Sequence, residues 1–354
     1  MPATQPPLPV ARPYRNQGLF SDHYLDNILP RRPEWQRLAE VAAPVMARIA
    51  RIVAAYHPST NEAQTENDLI RPVLLELGHT FEVQAPLRTP AGTRRPDYVF
   101  YTDAAARDAR KGQVLTDALL NPGAFAVGDA KQWDRPLDSV LESRARDELT
   151  NHPMAQMAFY MRHSRVEWGI LANGRVWRLL HRDSVERLDR FYEVDLPLLV
   201  ETGNAAAFLA FYGFFGRAAF ETEQETGVPG VAAILRASTD YARGVGESLK
   251  SQVYDALRHL AQGFLDYTPN RLRPVPGTLK AIYDSSLIVL YRLLFILYAE
   301  AHGLLPVADN PAYRESYSLH AIKHAVAGAL DANRRLLPTS ATLWPSWSRP
   351  IRLP

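Results

Sequence analysis

The order of apolar and polar residues predicts two amphipathic helices in the first part of the chain. Apolar residues recur at three- and four-residue steps over residues 34–56 and again over residues 60–77, which is the spacing of one helix face. Ser59 and Glu62 fit a capping box at the start of the second helix, and Gly78 fits its C-terminal cap. Each segment is therefore predicted to bury one side against a core.

A different pattern, with apolar residues at every second position, predicts β-strands further along the chain. The strand segments are 81–87, 97–101, 124–131 and a pair within 166–180. Asn173 and Gly174 are typical of the turn of a β-hairpin, and they divide the last pair. A helix that carries Met154, Met157 and Met161 is expected before this pair. Helices and strands that alternate in this way predict an α/β or α+β fold.

The C-terminal part of the chain is predicted to be helical, and the whole chain to have two domains. Helices are expected at 205–220, 246–266 and 279–303, with a break at Pro274, Pro276 and Gly277. The predicted divisions are an irregular, proline-rich segment at 1–33, an α/β domain at 34–210, a helical domain at 211–340 and an irregular tail at 341–354.

Composition excludes several classes of protein. With 354 residues, of which 47% are hydrophobic, the chain is long and apolar enough for about two domains with real cores. The absence of cysteine excludes a disulfide scaffold, a thiolate zinc site and a cysteine nucleophile. A formal charge of +2 excludes a polybasic tail protein but not a local basic cleft.

Neither a signal peptide nor a membrane span is expected. Residues 1–12 are rich in proline and lack an apolar core. Residues 286–299 are the most apolar stretch, but they contain Arg292 and fall short of the roughly 20 residues of a span. We therefore expect a buried helix there, in a cytoplasmic protein without a membrane partner.

Three short elements combine acidic residues with a lysine, and lysine is rare in this chain. Glu66 lies beside the apolar face of the second helix, Asp97 follows a proline at the start of a strand, and Asp129 and Lys131 lie near the end of the next strand. Side chains two apart on a strand share one face, so Asp129 and Lys131 are expected together. Carboxylates bind Mg²⁺, and a lysine can stabilise developing negative charge, which favours phosphodiester hydrolysis.

The arrangement resembles the PD-(D/E)xK nuclease superfamily. That resemblance implies that Asp97 and Asp129 are ligands of Mg²⁺, with Mn²⁺ as a substitute, and that Lys131 is the catalytic lysine. It also implies that Glu66 completes the acidic cluster, although Glu62, one turn away, competes for this role. Gln156 matches, with Tyr160, the Q-x-x-x-Y spacing by which a glutamine supports the site in some branches.

Longer strings extend the resemblance to residues 14–340. The segments 61–84, 94–101, 124–138 and 167–180 look like the N-terminal nuclease region and helical connector of type IIG restriction–modification enzymes. Those enzymes cut double-stranded DNA in defence against foreign DNA, and they join the nuclease to an adenine-specific methyltransferase. The implied fold is a restriction-endonuclease-like core followed by an all-helical connector.

The chain departs from these enzymes where a methyltransferase should begin. It has no glycine-rich S-adenosylmethionine loop and no Asn-Pro-Pro-Tyr/Phe motif, and residues 309–313 are only a near miss. We therefore expect no S-adenosylmethionine site in this chain. A truncated gene and a stand-alone nuclease subunit both fit this pattern. The alternative function is a non-catalytic or partner-dependent subunit that docks on a methyltransferase or specificity protein.

Without such a partner, part of the apolar C-terminal helix is expected to form an exposed patch. We therefore expect the isolated chain to self-associate as a homo-oligomer, or to gain solubility when a methyltransferase partner is co-expressed. The recognition sequence, the cut position and the exact oligomeric state do not follow from the sequence.

Overall fold

The computed structural model describes residues 12–120, 123–138, 152–222, 227–301, 303–319, 321–323 and 326. The chain divides into two compact units, with the division between Arg243 and Gly244, inside a long helix. The tail predicted at 341–354 lies outside the described residues. The first unit contains the β-sheet and the second is helical.

A seven-stranded mixed sheet forms the centre of the first unit. Its strands are β1 (Tyr14–Gln17), β2 (Thr80–Val83), β5 (Tyr98–Tyr101), β6 (Ala124–Ala130), β7 (Trp168–Ala172), β8 (Val176–His181) and β9 (Phe191–Asp195). Two further strands, β3 (Leu87–Thr89) and β4 (Gly92–Arg94), form a separate two-stranded sheet. The order is β1-β9-β8-β7-β6-β5-β2. Only the β6–β7 pair is parallel, and the other neighbours in this sheet are antiparallel.

The α-helices of the described residues are α1 (Pro33–Ala55), α2 (Glu62–Thr65), α3 (Arg71–Glu76), α4 (Ala104–Asp108), α5 (Asp117–Leu120), α6 (Pro153–Ser164), α7 (Leu196–Thr202), α8 (Ala205–Phe215), α9 (Val231–Asp266), α10 (Pro276–Ala301) and α11 (Pro311–Ser316). A π-helical turn, Glu66–Ile70, joins α2 to α3. Shorter 3₁₀ and π turns follow β1 and α8 and precede α10.

Apolar cores cover both faces of the sheet. Alternate side chains of the interior strands β5 and β6 enter different cores, as strand geometry requires. Tyr98 and Phe100 face a core that includes α1 and α8. Val99 and Val127 face a second core that includes Met157 of α6. Since both faces are covered, a polar side chain on β5 or β6 is exposed to solvent only near the ends of these strands.

The predicted mixture of helices and strands and the helical C-terminal part are confirmed. The prediction of an irregular segment at 1–33 is wrong for β1 and the two turns that follow it, because β1 pairs with β9, almost 180 residues away. The predicted capping box is also wrong. The cap of α2 is Asn61, whose side chain accepts a hydrogen bond from the Gln64 N–H.

Helix α10 differs most from its predicted burial. Among the described helices it alone is long and apolar enough to cross a membrane by length and composition, which is weak evidence because core helices of soluble proteins pass the same test. Tyr291 is 71% and Phe295 70% exposed, so the prediction of a fully buried helix is wrong. The large exposed side chains agree instead with the expected apolar patch.

We predict that His79 makes the first unit sensitive to acid. His79 lies among aromatic rings with its Nε2 2.7 Å from the Phe215 carbonyl oxygen, and burial lowers its pKa to about 4. An unfolded histidine titrates near 6.5, so stability is present above that pH and is lost as the pH falls to 4, by about 3 kcal/mol. His79→Gln keeps a donor for the Phe215 carbonyl but does not titrate. The variant should therefore lose less stability than the wild type between pH 7 and pH 4.

Urea unfolding at pH 7 and pH 4 measures this difference. The matched control is His57→Gln, at an exposed position, which should unfold like the wild type at both pH values. An equal loss of stability in the wild type and in His79→Gln would contradict the assignment.

Candidate active site

The register of β5 and β6 places Asp97 directly opposite Asp129. Tyr98 pairs with Gly128 in this antiparallel ladder, so the next pair outward is Asp97 with Asp129. Both side chains lie on the same face, and directly opposite residues have Cβ atoms about 5 Å apart. Asp97 Oδ2 also accepts a hydrogen bond of 2.8 Å from the Ala130 N–H, which fixes its carboxylate at the end of β6.

Lys131 joins this pair from the residue that follows β6. Its Nζ forms an ion pair with Asp129 Oδ2, and its N–H donates to the Ala172 carbonyl oxygen of β7 at 2.8 Å. Asp129 is 3% and Lys131 4% exposed. The structure thus brings together the three residues that the motif predicted, at the end of two interior strands.

Simultaneous ionisation of the Asp97 and Asp129 carboxyls is unfavourable. Burial raises the pKa of Asp97 from 3.8 to about 7, and the negative charge of Asp129 adds to this shift. Burial also raises the pKa of Asp129, although the charge of Lys131 opposes the change. Burial alone would lower the pKa of Lys131, but the carboxylates of Asp129 and Glu62 outweigh it and raise that pKa. Lys131 is therefore protonated at neutral pH.

Glu62, rather than Glu66, faces the aspartate pair. Glu62 lies in the first turn of α2, and its charge interacts with those of Lys131 and Asp97. Desolvation raises the pKa of its carboxyl, while Lys131 and the Gln132 backbone favour the charged form. Because Asn61 caps α2, Glu62 is not needed for a capping box.

The π-helical turn directs the Glu66 side chain away from the aspartate pair. In such a turn residues five apart are neighbours, and the Arg71 N–H bonds the Glu66 carbonyl oxygen. The same spacing brings the Arg71 guanidinium to within 2.8 Å of the Glu66 carboxylate. This pair lies beside Tyr98, whose side chain is on the opposite face of β5 from Asp97. The structure therefore does not bring Glu66 to the predicted acidic cluster.

Gln156 approaches the site from α6 together with Tyr160. Gln156 Nε2 donates to the Tyr160 hydroxyl at 3.1 Å, and this hydroxyl donates to the Arg95 carbonyl oxygen at 3.3 Å. Burial raises the pKa of Tyr160, and the charges of Asp129 and Asp97 add to the shift, so the phenol is within their field. Gln156 Oε1 is buried and has no hydrogen-bond partner among the described residues.

Sequence reasoning did not identify the contact of Tyr160 with the backbone two residues before Asp97. The Q-x-x-x-Y spacing was a signal for the Gln156–Tyr160 pair, because residues four apart share a helix face. Nothing in the sequence indicated the partner carbonyl of Arg95, which depends on how α6 packs on the sheet.

The pair Asp97–Asp129 fits Mg²⁺, which keeps water ligands, better than a metal ion whose ligands all come from the protein. The described residues contain no group of three or more histidine, aspartate or glutamate side chains placed to hold an ion. Mg²⁺ is usually held by one or two carboxylates and keeps several waters, so the pair Asp97–Asp129 is a sufficient set. A divalent cation would also offset both causes that raise the pKa of Asp97, its burial and its repulsion from Asp129.

We predict that Asp97→Asn stabilises the metal-free protein. The amide oxygen can still accept from the Ala130 N–H, and one of two opposed charges is removed. Since the folded-state pKa of Asp97 is raised, its ionisation costs stability as the pH rises from about 4 to 7, and the variant avoids this cost. We expect a gain of about 1–2 kcal/mol at pH 8 in EDTA and little gain at pH 4.

Chemical unfolding at both pH values measures this gain. Asp183→Asn, which changes an exposed aspartate far along the chain, is the control and should have no effect. A variant that is no more stable than the wild type at pH 8 would show that ionisation of the buried Asp97 carboxyl beside Asp129 does not cost stability.

No family model matches the chain, and no curated protein or solved structure matches it. The interpretation of the site therefore depends on its residues and geometry alone.

Proposed function

We propose that the protein is a Mg²⁺-dependent DNA endonuclease of the restriction type, built on a PD-(D/E)xK core. One observation carries the proposal: Asp97, directly before β5, lies opposite Asp129 when the β5–β6 register is continued by one residue, and Lys131 is ion-paired with Asp129. Opposed like charges weaken a sheet, so a structural role gives little reason for them. A metal-dependent hydrolase uses a pair of carboxylates to hold its ion.

Asp97 and Asp129 would hold the Mg²⁺ ion, with the charge of Glu62 nearby. When bound, the ion would lower the pKa of a water molecule and offset the negative charge of the phosphate. The backbone of Ala130 keeps the Asp97 carboxylate in place, so binding needs little rearrangement of that side chain.

Lys131 would stabilise negative charge on the phosphate rather than remove a proton. Its raised pKa keeps the ammonium group charged, and a cation cannot accept a proton. Its burial places that charge in a medium of low dielectric constant, where its interaction with a phosphate oxygen is strong. Gln156 Oε1, which lacks a partner within the described structure, is available to accept a hydrogen bond from a water in the site.

The proposed substrate is double-stranded DNA, which is recognised mainly through its phosphates. Phosphate contacts carry no sequence information directly, so binding should weaken steeply with salt. Arg94 and Arg95 directly precede Pro96 and Asp97, where a backbone phosphate would pass. The proposed location is cytoplasmic.

A second candidate is a partner-dependent subunit without its own activity. The exposed apolar side chains of α10, Tyr291 and Phe295 among them, favour it because such patches are typical of interfaces. A methyltransferase or specificity protein is the proposed partner.

We predict that plasmid DNA is cut in the presence of Mg²⁺ and not in EDTA. Asp97→Asn and Asp129→Asn should abolish cleavage, and Lys131→Ala should slow it at least about a hundredfold through lost charge stabilisation. Gel analysis of a random-sequence plasmid library measures the rates, and circular dichroism checks that each variant is folded. Asp183→Asn should cut like the wild type. A wild type that does not cut, or an Asp129→Asn that cuts normally, would reject the nuclease proposal.

A second prediction distinguishes the roles of Glu62 and Glu66. Glu62→Gln should raise the Mg²⁺ concentration needed for half-maximal cleavage, because a charge facing Asp97 and Lys131 is lost. Glu66→Gln should leave that concentration unchanged and lower the unfolding temperature, because it breaks the pair with Arg71. Magnesium titrations and thermal unfolding of both variants measure this. The reverse result would assign the third acidic position to Glu66.

A further inference from the structure

The hydroxyl of Thr65 is a buried junction of hydrogen bonds. Thr65 is fully buried, and its Oγ1 lies 2.9 Å from the Tyr56 hydroxyl and 3.2 Å from the Trp133 N. It also lies 3.3 Å from the Ser59 carbonyl oxygen and 3.2 Å from that of Asn61. A hydroxyl has one hydrogen to donate and two lone pairs. Thr65 can therefore donate to one of the two carbonyls and accept from the Tyr56 hydroxyl and the Trp133 N–H.

This junction connects two segments that carry site residues. Thr65 ends the single turn of α2 that Glu62 begins, so the two residues are held in a fixed helical relation. Trp133 lies two residues after Lys131, on the loop that leaves β6. The residue between them, Gln132, supplies the backbone group that favours the charged form of Glu62. The hydrogen bond from the Trp133 N–H therefore sets the distance between the Glu62 turn and the lysine.

Packing around the hydroxyl leaves no space for a replacement. The Tyr56 and Trp133 rings lie 5.2 Å apart. Gly174 has a φ of +81°, and a Cβ atom there would lie 2.9 Å from Thr65 Cγ2 and 3.1 Å from the Trp133 ring. A water molecule needs a polar site with room for it, so it cannot take over the role of the lost hydroxyl.

We propose that Thr65 is a positioning residue, whose hydroxyl holds the Glu62 turn of α2 against the loop after Lys131. It thereby keeps the Glu62 carboxylate facing the Asp97–Asp129 pair, and it supports binding of a divalent cation there without touching it. The proposal depends on the proposed nuclease function, since it assumes that this pair holds the metal.

The hydroxyl can be removed almost without a change of shape. Thr65→Val leaves the Trp133 N–H without an acceptor, so the loop and the helix turn are free to separate. Side chains that orient a metal ligand typically change metal affinity by tenfold or more, and we expect roughly a tenfold weaker affinity for Thr65→Val. Thr65→Ser keeps the hydroxyl and should restore most of the affinity.

The test is Mn²⁺ binding, followed by the electron paramagnetic resonance signal of the free ion, which requires no cleavage. The variants are Thr65→Val, Thr65→Ser, Glu62→Gln and the double variant Thr65→Val/Glu62→Gln. If Thr65 acts through Glu62, the double variant should bind Mn²⁺ no more weakly than Glu62→Gln alone. Thr89→Val, which removes another buried hydroxyl, is the matched control and should bind like the wild type.

The outcomes separate the two proposals. A wild type that does not bind Mn²⁺ would overturn the nuclease proposal and this one with it. Two results would reject only the role of Thr65, provided that the wild type binds Mn²⁺. One is a Thr65→Val variant that binds Mn²⁺ as tightly as the wild type. The other is a loss of affinity in Thr65→Val that adds fully to the loss in Glu62→Gln. Should Thr65→Val fail to fold, Tyr56→Phe takes its place, with an expected weakening of about threefold from one lost hydrogen bond. Unchanged affinity in Tyr56→Phe would then reject the role.

Discussion

Two aspartates that face each other across a β-ladder impose the main constraint on this structure. Like charges directly opposite weaken strand pairing, so the strands that carry them must be held by other interactions. Here β5 and β6 are interior strands, and an apolar core covers each face. Gly128, beside Asp129, allows the Phe100 ring to approach, since a Cβ atom there would lie 2.8 Å from that ring. Dense packing one residue inward thus offsets the repulsion between the carboxylates.

The surrounding charges are arranged so that each acid has a defined partner. Asp129 is paired with Lys131, and Asp97 is held by a backbone N–H. Glu66 has a partner of its own in Arg71, which the π-helical turn brings next to it, on the other side of β5. The charge of Glu62 interacts with that of Lys131 and with the Gln132 backbone. A small change of helix geometry therefore decides which of two glutamates, four residues apart, contributes charge to the aspartate pair.

Much of this arrangement follows from the sequence, and the remainder depends on long-range packing. Period-two alternation placed Asp129 and Lys131 on one face, and the helix over 60–77 was predicted from its apolar spacing. Strand β1 was missed because a four-residue edge strand in a proline-rich region carries little local signal. The Thr65 junction was missed because it depends on Trp133, a contact 68 residues away that no local pattern encodes. The π turn at Glu66 was missed because the apolar spacing of 60–77 does not distinguish it from a continuous α-helix. The long-range register, once known, determines the position of Asp97.

The position of β1 has a practical consequence for shortening this protein. Residues 14–17 form the outer strand of the sheet and pair with β9 along its length, from Tyr14 opposite Val194 to Gln17 opposite Phe191. Their proline-rich surroundings make them an obvious place to trim an expression boundary. Removing them would leave the outward-facing backbone N–H and C=O groups of β9 without partners, because β8 pairs only with the other side of this strand. Phe191, Tyr192 and Val194 of β9 are all buried. Such an edge is a template for intermolecular strand addition, so the trimmed protein would aggregate although Asp97, Asp129 and Lys131 were all still present.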